Sequence, residues 1–231
     1  MPTFAFQPNP TPSVAIVGRE ERFPVRRIIC VGRNYAAHAR EMGKDPDREP
    51  PFFFYKPADA LVDDGAKVPY PPLTANLHYE IELVVAVGAS GANVDKSDAL
   101  RHVFGYAVGI DLTRRDLQIA ARDLGRPWDW GKGFDHSAPC GPIASPDQVG
   151  HPGRGRIWLA VNGEIRQDSD LSELIWSVPD IISIASQSVR LMPGDLIYTG
   201  TPAGVGPVVA GDRITGGVAG VGDLAIEIVQ P

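Results

Sequence analysis

Two apolar runs in this chain carry acids at one end. Leu77-His78-Tyr79-Glu80-Ile81-Glu82-Leu83-Val84-Val85-Ala86-Val87 finishes in branched and small apolar residues, which predicts a strand covered on both faces. Alternate residues of a strand share a face, so Glu80 and Glu82 at its head are expected side by side. A second run, His102-Val103-Phe104-Gly105-Tyr106-Ala107-Val108-Gly109-Ile110, leads directly into Asp111. Burying like charges this close costs several kcal/mol unless something positive matches them.

The remaining pattern is one of short strands and many turns. Residues 1–26 hold alternating pieces, Phe4-Ala5-Phe6 and Val14-Ala15-Ile16-Val17, and predict a small strand-rich N-terminal extension ahead of a main domain over 27–231. Ile28-Ile29-Cys30-Val31 reads as a buried strand ended by Gly32, and Asn162-Gly163 as a two-residue hairpin between Arg156–Val161 and Glu164–Gln167. Further strands are expected at Leu196–Tyr198 and Asp223–Val229. Helices are few: Asp95–Arg101, Thr113–Leu124, and Leu171–Ser186 broken at Pro179. With 25 glycines and 22 prolines spread through the chain, the expected class is α+β and β-dominated, not a doubly wound βαβ sheet.

Composition narrows the function. The 231 residues are 43% hydrophobic and 22% charged, ordinary for a soluble globular protein. A net charge of -6 with no basic cluster argues against nucleic acid or an anionic membrane as partner. No run approaches the ~20 apolar residues of a membrane helix. Met1 to Pro12 has no basic or apolar signal region, so a cytoplasmic protein is expected. Two cysteines make no disulfide framework, and Cys30 is expected as a buried free thiol.

The three acids form an all-oxygen donor set, which suits a hard cation, Mg2+ or Mn2+, with Ca2+ also admissible. The stretch from Asn34 to Gly43 predicts a short helix, with Asn34 as its N-cap, on which His38 and Glu41 stand at i and i+3. A carboxylate there orients the imidazole and raises its basicity, as a general base acting on water requires. The flanking segment from Arg33 to Glu49 is almost entirely polar and predicts a mobile lid. Gln118 is a candidate oxyanion donor, and Lys132 a cation between glycines and aromatics. The strand ending at Tyr198 runs into Thr199-Gly200-Thr201-Pro202, whose N–H and hydroxyl groups suit a carboxylate.

With these blocks in order, the chain resembles the fumarylacetoacetate hydrolase family, over roughly residues 26 to 230. The blocks are Val31–His38 with Glu41, His78–Leu83, Gly109–Asp116 with Gln118, Trp128–Asp135 and Pro193–Gly206. The stretch Pro24–Tyr55 is most similar to the family's fumarylpyruvate-cleaving branch, linked to gentisate breakdown. The resemblance implies a mixed β-sandwich roll, a homodimer, and Mg2+ or Mn2+ on Glu80, Glu82 and Asp111. It implies a catalytic His38/Glu41 dyad, Gln118 and Lys132 at the reaction centre, and substrate contacts from Arg33, Arg115, Gly200 and Thr201. The implied reaction is hydrolysis of a C–C bond in a 2,4-diketo acid. Oxaloacetate decarboxylation and keto–enol isomerisation are the alternatives on the same metal, and a structural Ca2+ site is a non-catalytic one. A second carboxylate on the substrate calls for a cation among Arg33, Arg114, Arg115, Arg122 and Arg126. Two positions depart from the family pattern: His136 stands where Thr is common, and Trp130-Gly131 replaces a smaller residue followed by Ala. Both flank Lys132 and bear on pocket shape.

Overall fold

Strand pairing follows the apolar runs. A computed structural model describes residues 3–36 and 50–231. Its largest sheet has seven strands in the order Phe52–Lys56, Arg27–Gly32, Asp195–Tyr198, Ile81–Val87, Val103–Ile110, Ala138–Cys140, Leu61–Asp63. A five-stranded sheet runs Glu164–Asp170, Arg156–Val161, Arg213–Val218, Gly222–Val229, Lys67–Pro69. A short three-stranded sheet joins Thr113–Arg114, Leu77–Tyr79 and Gly206–Val208. Parallel and antiparallel pairs mix, as in a β-sandwich roll.

Ile81–Val87 is buried at all seven positions, because both faces of the large sheet are covered. Ile81, Leu83, Val85 and Val87 pack towards Ile157, Leu159, Ile214 and Ile226 of the five-stranded sheet. Val84 and Ala86 point the other way, into a second core with Ile28, Cys30, Leu196 and Tyr198. The hairpin Ser13–Ala15 with Arg22–Pro24 closes that side through Val14 and Phe23. Both cysteines are free and buried. At the expected hairpin, Asn162 and Gly163 both take positive φ, 52° and 84°, the backbone that two-residue turns between twisted strands require.

Several expected elements differ. Leu77–Val87 is not one strand: pairing stops at Glu80, where the chain passes from the small sheet into the large one. Asp95–Arg101 is not an α-helix; only Ala99–His102 forms, as a 3-10 turn. Thr113 and Arg114 are strand, and the helix is Arg115–Asp123. Pro179 does not break a helix but begins one, Val178–Ser188, because a first-turn residue has no N–H to lose. Among the described residues no helix is long and apolar enough to cross a membrane.

Candidate active site

Sheet register brings the acids together. Val103–Ile110 pairs antiparallel with Ile81–Val87, Ile110 opposite Ile81, and the Asp111 N–H donates to the Glu80 carbonyl at 2.8 Å. Glu80, Glu82 and Asp111 each then offer an oxygen within 4.8 Å of the others, all three buried. Glu82 accepts the Gly200 N–H at 2.7 Å. Gly200 has φ +102°, and a Cβ there would stand 2.7 Å from that of Asn34, so only glycine permits this approach. Burial first, then the charges of Asp111 and Glu80, hold the Glu82 carboxyl well above its ordinary range.

Three cations surround the acids. Lys132 Nζ donates to Glu80 at 2.8 Å, Asp111 at 2.7 Å and Thr113 Oγ1 at 2.7 Å. Burial pulls its pKa down, but Asp111 and Glu80 prevail and raise it, so it stays charged. Arg115 Nη2 binds Glu80 Oε1. Lys56 was not expected here: its Nζ donates to Leu112 O at 2.9 Å and Lys132 O at 2.5 Å, and lies 2.8 Å from Asp111 Oδ1. That contact is a buried ion pair, and Asp111 Oδ1 accepts no hydrogen bond. A buried carboxylate oxygen that accepts no hydrogen bond, beside two more carboxylates, fits a divalent ion as a further ligand.

Arg115 ties three side chains together. Besides Glu80, it donates through Nε to His78 Nδ1 at 3.4 Å and through Nη1 to Gln118 Oε1 at 3.1 Å. Arginine only donates, so the Gln118 oxygen faces it and the Gln118 amide N–H groups point away. Burial and the Arg115 charge hold His78 down to about 4, so the ring is neutral, its Nε2–H directed at Asn76 Oδ1, 3.0 Å away.

A cleft opens over the acids, and Arg33, Gln118, Arg122, Trp128, Lys132 and Thr201 all line it. Thr201 Oγ1 accepts from Gln167, a fully buried residue of the five-stranded sheet that also caps the Ile81 N–H, at 2.8 and 3.0 Å. Gln167 escapes a sequence reading because it sits in a hairpin strand of otherwise polar residues. Lys56 did carry a signal: one ammonium ends the run Phe52-Phe53-Phe54-Tyr55, the same conflict that marked Glu80. Asn34 is no N-cap, since its side chain accepts from Trp176 N–H and donates to Trp176 O and Thr199 O. His38 and Glu41, with the rest of 37–49, lie outside the described residues.

The two departures beside Lys132 act differently from expectation. His136 and Trp130 are exposed and neither lines the cleft. Gly131 matters instead, because a Cβ there would meet that of Gln118 at 2.8 Å, so glycine sets how closely Asp129–Lys132 packs on the Gln118 helix.

The fumarylacetoacetate (FAA) hydrolase C-terminal model matches residues 27–229. The chain belongs to this family, and the class it defines with these relatives is that of hydrolases acting on carbon–carbon bonds. Among individual proteins, it is 48% identical over 189 residues to fumarylpyruvate hydrolase of Ralstonia sp, covering 81% of this chain and 98% of that one. The crystal structure of fumarylpyruvate hydrolase from Pseudomonas aeruginosa in complex with Mn2+ and pyruvate superposes with a TM-score of 0.98. That pair is 53% identical, over 99% of this chain and 100% of the other. Human mitochondrial oxaloacetate tautomerase FAHD1 is 40% identical over 206 residues, 89% of this chain and 93% of that one.

Proposed function

We propose that the protein hydrolyses acylpyruvates, with fumarylpyruvate cleaved to fumarate and pyruvate. The observation that carries this reading is the buried Glu80–Glu82–Asp111 group, whose Asp111 Oδ1 accepts no hydrogen bond, at the floor of a cleft lined by Gln118 and Thr201. The Ralstonia and Pseudomonas relatives support it by name, and the latter holds Mn2+ and pyruvate, the product expected here. A homodimer, a cytoplasmic location and a place in gentisate breakdown belong to the same proposal.

Mn2+ or Mg2+ bound by the three acids supplies Lewis acidity towards the 2-oxo acid end of the substrate. His38, oriented by Glu41, takes a proton from water, and the hydroxide adds to the carbonyl at C4. Gln118, its oxygen held by Arg115, turns its N–H donors to the oxyanion. The C3–C4 bond then breaks, its electron pair leaves as the enolate of pyruvate, and a proton returns to C3. Lys132 pairs with Glu80 and Asp111 and holds them in place. Thr201, positioned by Gln167, and Arg33 meet the substrate's polar groups from the cleft wall.

Gln118→Ala is expected to lower kcat by roughly a hundredfold or more, the usual cost of one oxyanion donor, with Mn2+ affinity by calorimetry unchanged. His38→Ala is expected to abolish hydrolysis while oxalate, an enolate mimic, still binds. Near-normal turnover in that variant would remove His38 as the base.

The tautomerase relatives favour a second reading, enol–keto exchange or decarboxylation of oxaloacetate, which needs no attacking water. One assay separates them: loss of enol absorbance for acylpyruvates of differing tails and for oxaloacetate, with Mn2+, Mg2+ or EDTA. Metal-dependent cleavage of the acylpyruvates supports hydrolysis. Turnover of oxaloacetate alone, or equal activity in EDTA, overturns it.

A further inference from the structure

We propose that Arg122 is the specificity-determining residue for the far carboxylate of the substrate, an assignment that rests on the acylpyruvate reading above. Five arginines were open candidates, and the structure disposes of three. Arg115 sits at the acid cluster itself, the head end, bound to Glu80, His78 and Gln118. Arg114 lies 4.3 Å over the Phe134 ring and does not line the cleft. Arg126 faces a separate outer groove with Leu73 and Trp130. Arg33 and Arg122 remain on the cleft.

Helix geometry places Arg122 at the right depth. Arg115, Gln118 and Arg122 are three and then four residues apart on the helix Arg115–Asp123, so they share one face, and all three line the cleft. Arg115 touches the acid cluster, and Arg122 stands seven residues further, about 10 Å along the axis at a rise of ~1.5 Å per residue. An extended seven-carbon diketo diacid has six C–C bonds between its end carbons, roughly 7–8 Å at bond lengths near 1.5 Å. With its oxo-acid head at the acids, such a substrate brings its tail carboxylate to Arg122. Four-carbon oxaloacetate spans about half that and does not reach.

Charge and partners agree. The head's carboxylate and the enolate that develops on cleavage match a divalent ion's two charges, so the tail carboxylate requires a cation of its own. Arg122 spends Nε and Nη2 on one oxygen of its exposed neighbour Asp123, both at 2.9 Å. Its Nη1 group has no partner among the described residues, and an exposed ion pair of this kind yields at little cost. Trp128, packed edge-on against Phe52 at 4.8 Å, offers the flat conjugated tail an apolar wall in the same cleft.

The test compares fumarylpyruvate with acetylpyruvate, which has the same head and an uncharged tail, on Mn2+-loaded wild type, R122Q, R122K and R33Q. The ratio of the two kcat/KM values is expected to fall roughly 10- to 100-fold in R122Q, chiefly through KM, with partial recovery in R122K. An unmoved ratio, an equal loss on both substrates, or a fall in R33Q without one in R122Q overturns the assignment. Should R122Q not fold, R122K against wild type decides: a ratio identical to wild type, with no contribution from the fork geometry, counts against Arg122. If wild type cleaves neither diketo acid, the acylpyruvate reading fails; if it cleaves both and the ratio ignores Arg122, only this assignment does.

Discussion

Replacing Glu82 by glutamine is expected to make the metal-free protein more stable and the enzyme roughly a thousandfold slower. A thousandfold corresponds to about 4 kcal/mol of transition-state stabilisation, the scale of a metal's contribution. Stability moves the other way because Glu82 is a buried charge with two acidic neighbours and one N–H donor. Glutamine keeps an oxygen for the Gly200 N–H and removes the charge. The sign with pH follows: the native carboxyl holds its proton where the unfolded chain has released it, so the folded state binds more protons. Stability therefore falls as pH rises from the unfolded carboxyl range through the raised native one, and the glutamine variant loses that slope. A bound divalent ion takes the proton's place, so the melting shift caused by Mn2+ grows with pH over the same window. Calorimetric melts of both proteins in EDTA and in Mn2+, near pH 5 and pH 8, check this. A metal-free variant less stable than wild type at the higher pH contradicts it.

Lys132→Met is expected to cost about 3–5 kcal/mol without metal, since it strips two buried carboxylates of the ammonium they share. For a chain of this length that is a melting shift of roughly 10 °C. Mn2+ should recover part of the loss by substituting one positive charge for another, whereas a cavity mutation in the core would recover only what binding gives wild type. Equal melting shifts on adding Mn2+ to the variant and to wild type would show that Lys132 acts through packing instead.

How much of this was legible in the sequence depends on the range of the interaction that fixes each residue. Glu80, Glu82 and Asp111 announce themselves because an acid at the end of an apolar run is a local contradiction, and one strand pairing brings all three together. The Asn162-Gly163 turn is equally local. The break at Glu80 was not legible, because it comes from two different sheets claiming either side of one residue. Lys56 and Gln167 enter through strands whose neighbours are set by distant parts of the chain, Lys56 beside Arg27–Gly32 and Gln167 under Ile81 and Thr201. Arg115 was expected to touch substrate from the cleft wall, and only its side-chain partners reveal that it also holds Glu80 and Gln118. The helix expected at Asp95–Arg101 had polar periodicity but no apolar stripe to hold it, and a single 3-10 turn forms there.

The groups around the three acids are drawn from Lys56, Lys132 and Gly200, from well-separated parts of the chain. No short fragment of the chain assembles that surround. Firm capture of the ion thereby comes late in folding: one hairpin gathers the acids, but only the joined chain fixes their geometry with Lys56, Lys132 and Gly200.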